Sequence, residues 1–413
     1  MTQDNLFFTV RSVADALDQL RTLVAPLGRS ERIATTEAGG RTVAQAPRAP
    51  VALPDFVRSA MDGYAVRAAD TFGASDSLPA YLTRVGEARM GERPTVRVGP
   101  AQAVEIATGA MLPEGADAVI MLERTQPFGE GEIEVLTPVA PGENLIQVGE
   151  DVSPGAEIVP VGRRLRPQDL GGLLAVGLTE VEVVARPRVS ILSSGDELVA
   201  PDQAPAPGQI RDINGPVLAA LFMQAGAQTR LAGIARDTFD HAFSRAEAAF
   251  RDADVLVISA GSSVSTRDLT SAVINRLGAP GVVQHGLAVK PGKPTILAVC
   301  AGRAVIGLPG NPVSALLVAR QIVVPLIQHL LGAPPELPLG MRATLTQSVA
   351  STTGREDTLP VRVRADGAGG WLAEPLLGKS NLIYTLINAD GLISVPLNAN
   401  GLRAGTEVAV TPF

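Results

Sequence analysis

The stretch DVLVISAGSSVSTRDLTSAVINRLG, residues 254–278, decides the fold. Residues 254–259 form a short, nearly uninterrupted apolar run, the signature of a strand buried on both faces. A loop of small residues follows at 260–266. The spacing then predicts a helix over 268–277, stopped by Gly278. Strand, small-residue loop and helix make one βα unit, and the flanking sequence repeats it. Upstream, residues 189–192 read as a strand ending in SSGDE at 193–197. A helix over 214–224 follows, started by Asn214 and Pro216 and ended by Gly226, and then a second helix over 239–250. Downstream, residues 304–308 read as a strand, followed by the turn at 309–312 and a long helix from about Val313. Alternating strands and helices predict a doubly wound, mainly parallel sheet.

Outside this unit the pattern changes twice. Residues 10–27 read as a helix with Ser12 as N-cap, and 168–176 as a short helix closed by Gly177. Between them, from about 59 to 147, short alternating runs separated by Gly and Pro read as a β-rich insertion. Beyond GAPPELP at 332–338, runs at 341–349, 358–364, 392–397 and 407–411 read as strands of a small all-β domain. The expected domains are a discontinuous N-terminal helical unit (1–48 and 149–186), an inserted β-rich unit (49–148), the α/β unit (187–332) and a C-terminal barrel (333–413). Trp371 and Tyr384 are expected to pack within that barrel.

The composition bounds the function. The 413 residues carry 35 Lys+Arg against 42 Asp+Glu, a net charge of −7, and only 3% aromatics. That balance argues against nucleic acid, which needs a broad basic face or stacking platforms. One cysteine, Cys300, excludes an intrachain disulfide and a cysteine-built zinc site; three scattered histidines leave any divalent metal to carboxylates. The first twenty residues lack a signal-peptide core, and the most apolar stretch, 316–331, contains Arg320, Gln321, Gln328 and His329. The expected location is the cytoplasm, with no membrane association.

Ligands of open parallel sheets bind beyond the carboxyl ends of the strands. Three such ends carry small, polar loops: SSGDE (193–197), SAGSSVST (259–266) and LPGNP (308–312). Their backbone N–H groups, with the helix starts that follow, suit an anion. KPGKP at 290–294 places Lys290 and Lys293 on a proline-stiffened loop suited to a diphosphate or oxyanion. Asp196, Glu197, Asp237 and Asp268 fall near strand ends, and carboxylates beside phosphates point to Mg²⁺. His285, just before Gly286, could face the same site. Formal phosphate loops fail: neither residues 286–293 nor the GKS at 378–380 completes a Walker motif, and no G-x-G-x-x-G follows the first strand.

These motifs together resemble the MoeA family, the molybdenum insertases, which are related to the gephyrin E domain. The resemblance rests on SAMDGYAV (59–66), IATGAMLPEGADAVI (106–120), GEDV (149–152), SSGDEL (193–198), KPGKP (290–294) and GLPGNPVSA (307–315). It implies an elongated homodimer of four-domain subunits, with a molybdopterin-binding α/β domain facing the partner's inserted domain. It further implies Mg²⁺-dependent insertion of molybdate into adenylylated molybdopterin with release of AMP, and contact with the molybdopterin adenylyltransferase. Carried over residue by residue, catalytic roles fall on Asp62, Thr108, Asp237 and Asp268. Asp151 also matches a functional position of the family. Substrate binding falls on Ser194, Gly195, Ser259, Gly261, Ser262, Ser263, Lys290, Lys293, Pro309, Gly310 and Pro312, with Arg355 and Ser380 near molybdate. Metal binding falls on Glu197, Asp237 and Asp268. Two glycines of the family loop become Ala260 and Ser265 here; a left-handed backbone at either would cost about 1–2 kcal/mol. Two other readings stay open: a molybdopterin or cofactor carrier without turnover, and a phosphoanhydride hydrolase acting on another nucleotide.

Overall fold

The computed structural model describes residues 10–261, 264–334 and 340–413. Its centre is a six-stranded sheet in the order Gln228–Ala235, Arg188–Ser194, Val255–Ala260, Arg303–Pro309, Ile296–Cys300, Pro280–His285. The first four strands run parallel, and the last two form an antiparallel edge. The chain moves from Arg188–Ser194 to one neighbour and then returns to the other side, so the switch point lies between Arg188–Ser194 and Val255–Ala260.

Both faces of the sheet are covered, which explains the uninterrupted apolar strands. On one face Ile191, Val257 and Ile306 pack with Leu218 and Phe222 of helix Asn214–Gln224 and with Leu17 and Leu20 of helix Val13–Leu23. Burying Leu17 and Leu20 contributes about 1.5–3 kcal/mol each, which holds the N-terminal segment to the sheet. Ser12 caps that helix, its hydroxyl accepting from Asp15 N at 3.1 Å. On the other face Leu192, Leu256, Ile258 and Val305 pack with Ala246 of helix Phe239–Phe250 and Ile274 of helix Val264–Leu277.

Helix Val264–Leu277 begins earlier than its sequence suggests. Asp268 therefore sits in the second turn rather than at a cap, and Thr270 Oγ1 already donates to Thr266 O. Ala260 ends an extended strand and Ser265 lies in this helix. Neither has a positive φ, so both glycine replacements escape left-handed strain.

The helical run Pro312–Leu330 is long and apolar enough to cross a membrane by composition alone. Here it is a core helix: Val318, Ile322, Leu326 and Leu330 lie in the same cluster as Phe222. A π-helical turn at Ala319–Val323 precedes Pro325 and accommodates the missing proline N–H.

Residues 63–135 supply a second six-stranded sheet, in the order Ala118–Met121, Gly63–Val66, Gln102–Ile106, Ala80–Ala88, Glu132–Val135, Thr125–Phe128. The C-terminal segment closes five strands into a barrel, because Glu356–Ala365 pairs with both Trp371–Pro375 and Gly391–Val395. A sixth strand, Val289–Lys290, is donated to it from the α/β unit. Trp371 and Tyr384 are not packing residues: they are 47% and 72% exposed. Trp371 shares the phase of the buried Ala373 and Pro375 but opens the strand, opposite Ala365 at the exposed end of its neighbour. Tyr384 opens a single helical turn that buries only Leu386.

Candidate functional site

Register aligns the three strand ends. Ser193 lies opposite Ser259, which lies opposite Leu308; Ser194 lies opposite Ala260, which lies opposite Pro309. The loops beyond them meet at the switch point, where an open parallel sheet presents its ligand crevice. Asn214 ties them together. Its side-chain amide donates to Ser259 Oγ and to Gly310 O, both at 2.8 Å. Sequence reads Asn214 as a helix start; the structure turns its side chain across the strand ends, and Asp212 Oδ1 instead accepts from Gly215 N in the first turn at 3.2 Å. Gly310 approaches the neighbouring loop so closely that a Cβ would stand 3.0 Å from Ala260 O.

Carboxylates line the same edge. Ser193 Oγ donates to the buried Asp212 at 2.6 Å, and Ser194 Oγ donates to Asp237 Oδ1 at 2.9 Å. Asp237 N donates to Asp196 Oδ1 at 3.3 Å, so Asp196 and Asp237 are neighbours. The Glu197 carboxylate folds back against Gly195. Asp268 is exposed and lies near His285 and Arg267. Burial and the Arg267 charge hold the His285 imidazole below its ordinary pKa, and Asp268 opposes them. Among the described residues no group of three or more His, Cys, Asp or Glu side chains is placed to hold a metal. A hard cation that takes one or two carboxylates and completes its shell from substrate oxygens needs no such group, and Asp196 and Asp237 are neighbours through the Asp237 N–H. Glu197, Asp237 and Asp268 do not form a closed three-ligand cage. Gly261 lines a very small cavity between Ala260 and Pro309; Ser262 and Ser263 lie outside the described residues.

A larger cavity of about 1140 Å³ opens between the α/β unit and the barrel. The loop carrying Lys290 and Lys293 forms one wall, with Pro309 and Asn311; Arg355, Lys379 and Ser380 line the barrel side. Gly292 shapes this loop: its φ is +115°, and a Cβ there would stand 2.2 Å from Val318 Cγ2. Asn311 Nδ2 donates to Ser380 Oγ at 2.9 Å, and Val313 N donates to Ser380 O at 3.1 Å, latching the two units. Pro312 starts the long core helix beside this latch. The charged residues on the wall are Lys290, Lys293, Arg355, Lys379 and Asp357, four cations against one carboxylate. Sequence alone does not single out Asn214, Asp357 or Lys379; the GKS at 378–380 completes no Walker motif, and only the fold brings Lys379 to the cavity wall.

Asp62 and Thr108 come together elsewhere. Thr108 donates to Asp62 Oδ1 twice, from its N–H at 2.7 Å and its hydroxyl at 2.9 Å. These bonds hold the Asp62 carboxyl below the usual carboxylate range. No residue of the 49–148 unit lines the cation-rich cavity of the same chain. Asp151, exposed, anchors a turn through its N–H to Leu53 O. Cys300 is a buried thiol at the end of its strand, pushed up in pKa by burial.

A doubly wound sheet whose strand ends adjoin a cation-lined cleft under a barrel is the architecture of a protein suited to phosphorylated or oxyanionic small molecules. Models of three consecutive regions match it: the MoeA N-terminal region (domain I and II) at 11–177, a probable molybdopterin binding domain at 190–329, and the MoeA C-terminal region (domain IV) at 342–413. The chain belongs to the MoeA family, transferases of molybdenum cofactor biosynthesis. It is 32% identical over 404 residues to molybdopterin molybdenumtransferase 2 of Mycobacterium tuberculosis, covering 97% of each chain. It is 32% identical over 387 residues to the molybdopterin molybdenumtransferase of Bacillus subtilis, covering 93% of this chain and 90% of that one. A crystal structure of a MoeA molybdopterin biosynthesis protein from Pyrococcus horikoshii superposes with a TM-score of 0.82 at 37% identity, covering 98% of this chain and 99% of that one.

Proposed function

We propose that this protein inserts molybdate into adenylylated molybdopterin and releases AMP in a Mg²⁺-dependent step. The observation that carries this reading is the joining of two complementary surfaces: strand-end loops suited to phosphate and a cavity with four cations suited to an oxyanion. The loops at 193–197, 259–261 and 308–312, with Lys290 and Lys293, would hold the diphosphate and AMP portion. Lys290, Lys293, Arg355 and Ser380 would hold molybdate. Mg²⁺ would sit at Asp237 with Asp196 and offset the phosphoanhydride charge. Ser194 Oγ donates to Asp237 Oδ1 and fixes its orientation. The dithiolene chemistry belongs to the pterin, and this chain supplies position and charge.

Asp62 and Thr108 reach no part of this cleft in their own chain, so the reading places them against a partner subunit's cleft in a homodimer. Of the four units proposed from sequence, 1–48 with 149–186, 49–148, 187–332 and 333–413, each has an apolar cluster of its own, but helix Val13–Leu23 of the first packs in the cluster of the α/β sheet. A cytoplasmic location and contact with the adenylyltransferase that supplies the substrate belong to the same proposal.

Purified protein given adenylylated molybdopterin, Mg²⁺ and molybdate should release AMP, and Lys293→Ala should abolish the response to low molybdate. Tight substrate binding without AMP release would instead identify a carrier. Subunit sharing has its own test. Asp62→Ala and Lys293→Ala, each inactive alone at low molybdate, should there regain about half the parental activity per mixed dimer, because one of two sites is then intact. No recovery in mixed dimers would place Asp62 outside the site.

A further inference from the structure

Asp357 is 2% exposed, yet it lies on the wall of a cavity otherwise rich in cations. A buried carboxylate is kept only when its charge is answered, and here two cations answer it. Arg355 Nε donates to Oδ1 at 2.9 Å, and Nη2 reaches Oδ2 at 3.4 Å. Lys290 Nζ stands 3.8 Å from Oδ2. The backbone enforces this grouping. Lys290 and Asp357 are register partners in the parallel ladder between Val289–Lys290 and Glu356–Ala365, and Glu356 N donates to Ala288 O at 2.8 Å. Arg355 spends one edge of its planar fork on Asp357, which leaves its remaining N–H groups in a fixed orientation. Lys293 and Lys379 have no carboxylate partner within ion-pair distance among the described residues. The cavity thus holds two cations locked by a shared acid and two that are not.

By simple charge an acid should weaken an oxyanion site. Its value lies in geometry: Arg355 and Lys290 repel each other, and the shared carboxylate holds both in place as preset donors. We propose that Asp357 is a positioning residue for oxyanion recognition, fixing Arg355 and Lys290 as a donor pair for the tetrahedral anion. This rests on the reading of the cavity as the molybdate site. Asp357→Asn presents an amide donor to one of the two cations and releases the pair.

The test is calorimetry with molybdate alone, together with AMP release as a function of molybdate. Asp357→Asn should raise both Kd and KM for molybdate by about tenfold or more, the scale of lost outer-shell partners at ion sites, with kcat at saturating molybdate nearly unchanged. Asp357→Glu should recover most of the affinity. Arg355→Lys keeps the charge but loses the fork, so it should weaken binding similarly, and the double variant should lose little more than either single one. Tighter or unchanged binding by a natively melting Asp357→Asn, or additive losses in the cycle, would overturn the proposal. If Asp357→Asn does not fold, Arg355→Lys and Asp357→Glu decide it: unchanged binding by Arg355→Lys, or no recovery by Asp357→Glu, counts against it. Lys293→Ala separates the two levels. Weaker binding there with no change at Asp357 sinks only the positioning role, whereas unchanged binding in Lys293→Ala sinks the cavity reading itself.

Discussion

Asp62 shows how a single side chain is tuned by its surroundings. The backbone N–H of Thr108 and then its hydroxyl stabilise the ionised form, outweighing slight desolvation. Thr108→Val keeps the N–H and removes the hydroxyl, so the Asp62 pKa should rise part of the way toward its ordinary value in an NMR titration; an unmoved value refutes the hydroxyl's part. His285 is shifted in the opposite sense for a base: burial and Arg267 disfavour its charged form. Its native pKa lies below the unfolded value, so the unfolded chain binds the proton first. Its contribution to stability is complete above about pH 6.5 and declines as pH falls toward the lowered native value. Asp268→Asn removes the opposing charge and should lower the His285 pKa further. At this scale the sequence shows the residues that sit inside continuous motifs, such as Ser194, Gly310, Lys290 and Lys293. It hides Asp357 and Asn214, because their roles are across space. An asparagine at a helix start reads as a cap, and only the fold reveals Ser259 and Gly310 beside it.

The helix over 214–224 is legible because Asn214 and Pro216 mark its start and Gly226 its end. The start of Val264–Leu277 is not, since its first residues are small or hydroxylated and carry no apolar period. Strand Trp371–Pro375 is hidden by its glycine-rich approach and its short length. The lysine-bearing loop is the element that joins fold to site. Gly292→Ala would force a Cβ into Val318 and strain a left-handed backbone. It should cost about 2–4 kcal/mol in denaturant unfolding and weaken molybdate binding as well. Loss of neither would show that the loop can slide off the helix freely.

The whole molecule is held together by links that no local pattern announces. Asp254, just before the interior strand Val255–Ala260 of the central sheet, is buried and takes both Nη groups of Arg29 from the N-terminal unit together with the N–H of Arg188. Burial pushes its pKa up, but the Arg29 and Arg188 interactions outweigh it and leave it lowered. A lowered carboxylate stabilises the fold above its unfolded pKa of about 4 and loses that contribution as pH falls toward the native value. Arg29→Ala should therefore destabilise the protein by about 2–3 kcal/mol at pH 7, less than for a fully buried pair because Arg29 is partly exposed. The difference between variant and parent should shrink below pH 4; a pH-independent gap would mean that Arg29 acts through packing alone.

The two-residue ladder from Val289–Lys290 to the barrel bears on how such chains can be recombined. A crossover in the linker near residue 335 would deliver Arg355 and Asp357 from one parent and Lys290 from the other. Chimaeras of distant relatives cut there should lose both a β-pairing and a charge match. Those cut ahead of residue 288 inherit the ladder whole. The natural seam for exchanging barrels among relatives thus lies inside the α/β unit, some fifty residues before the visible joint.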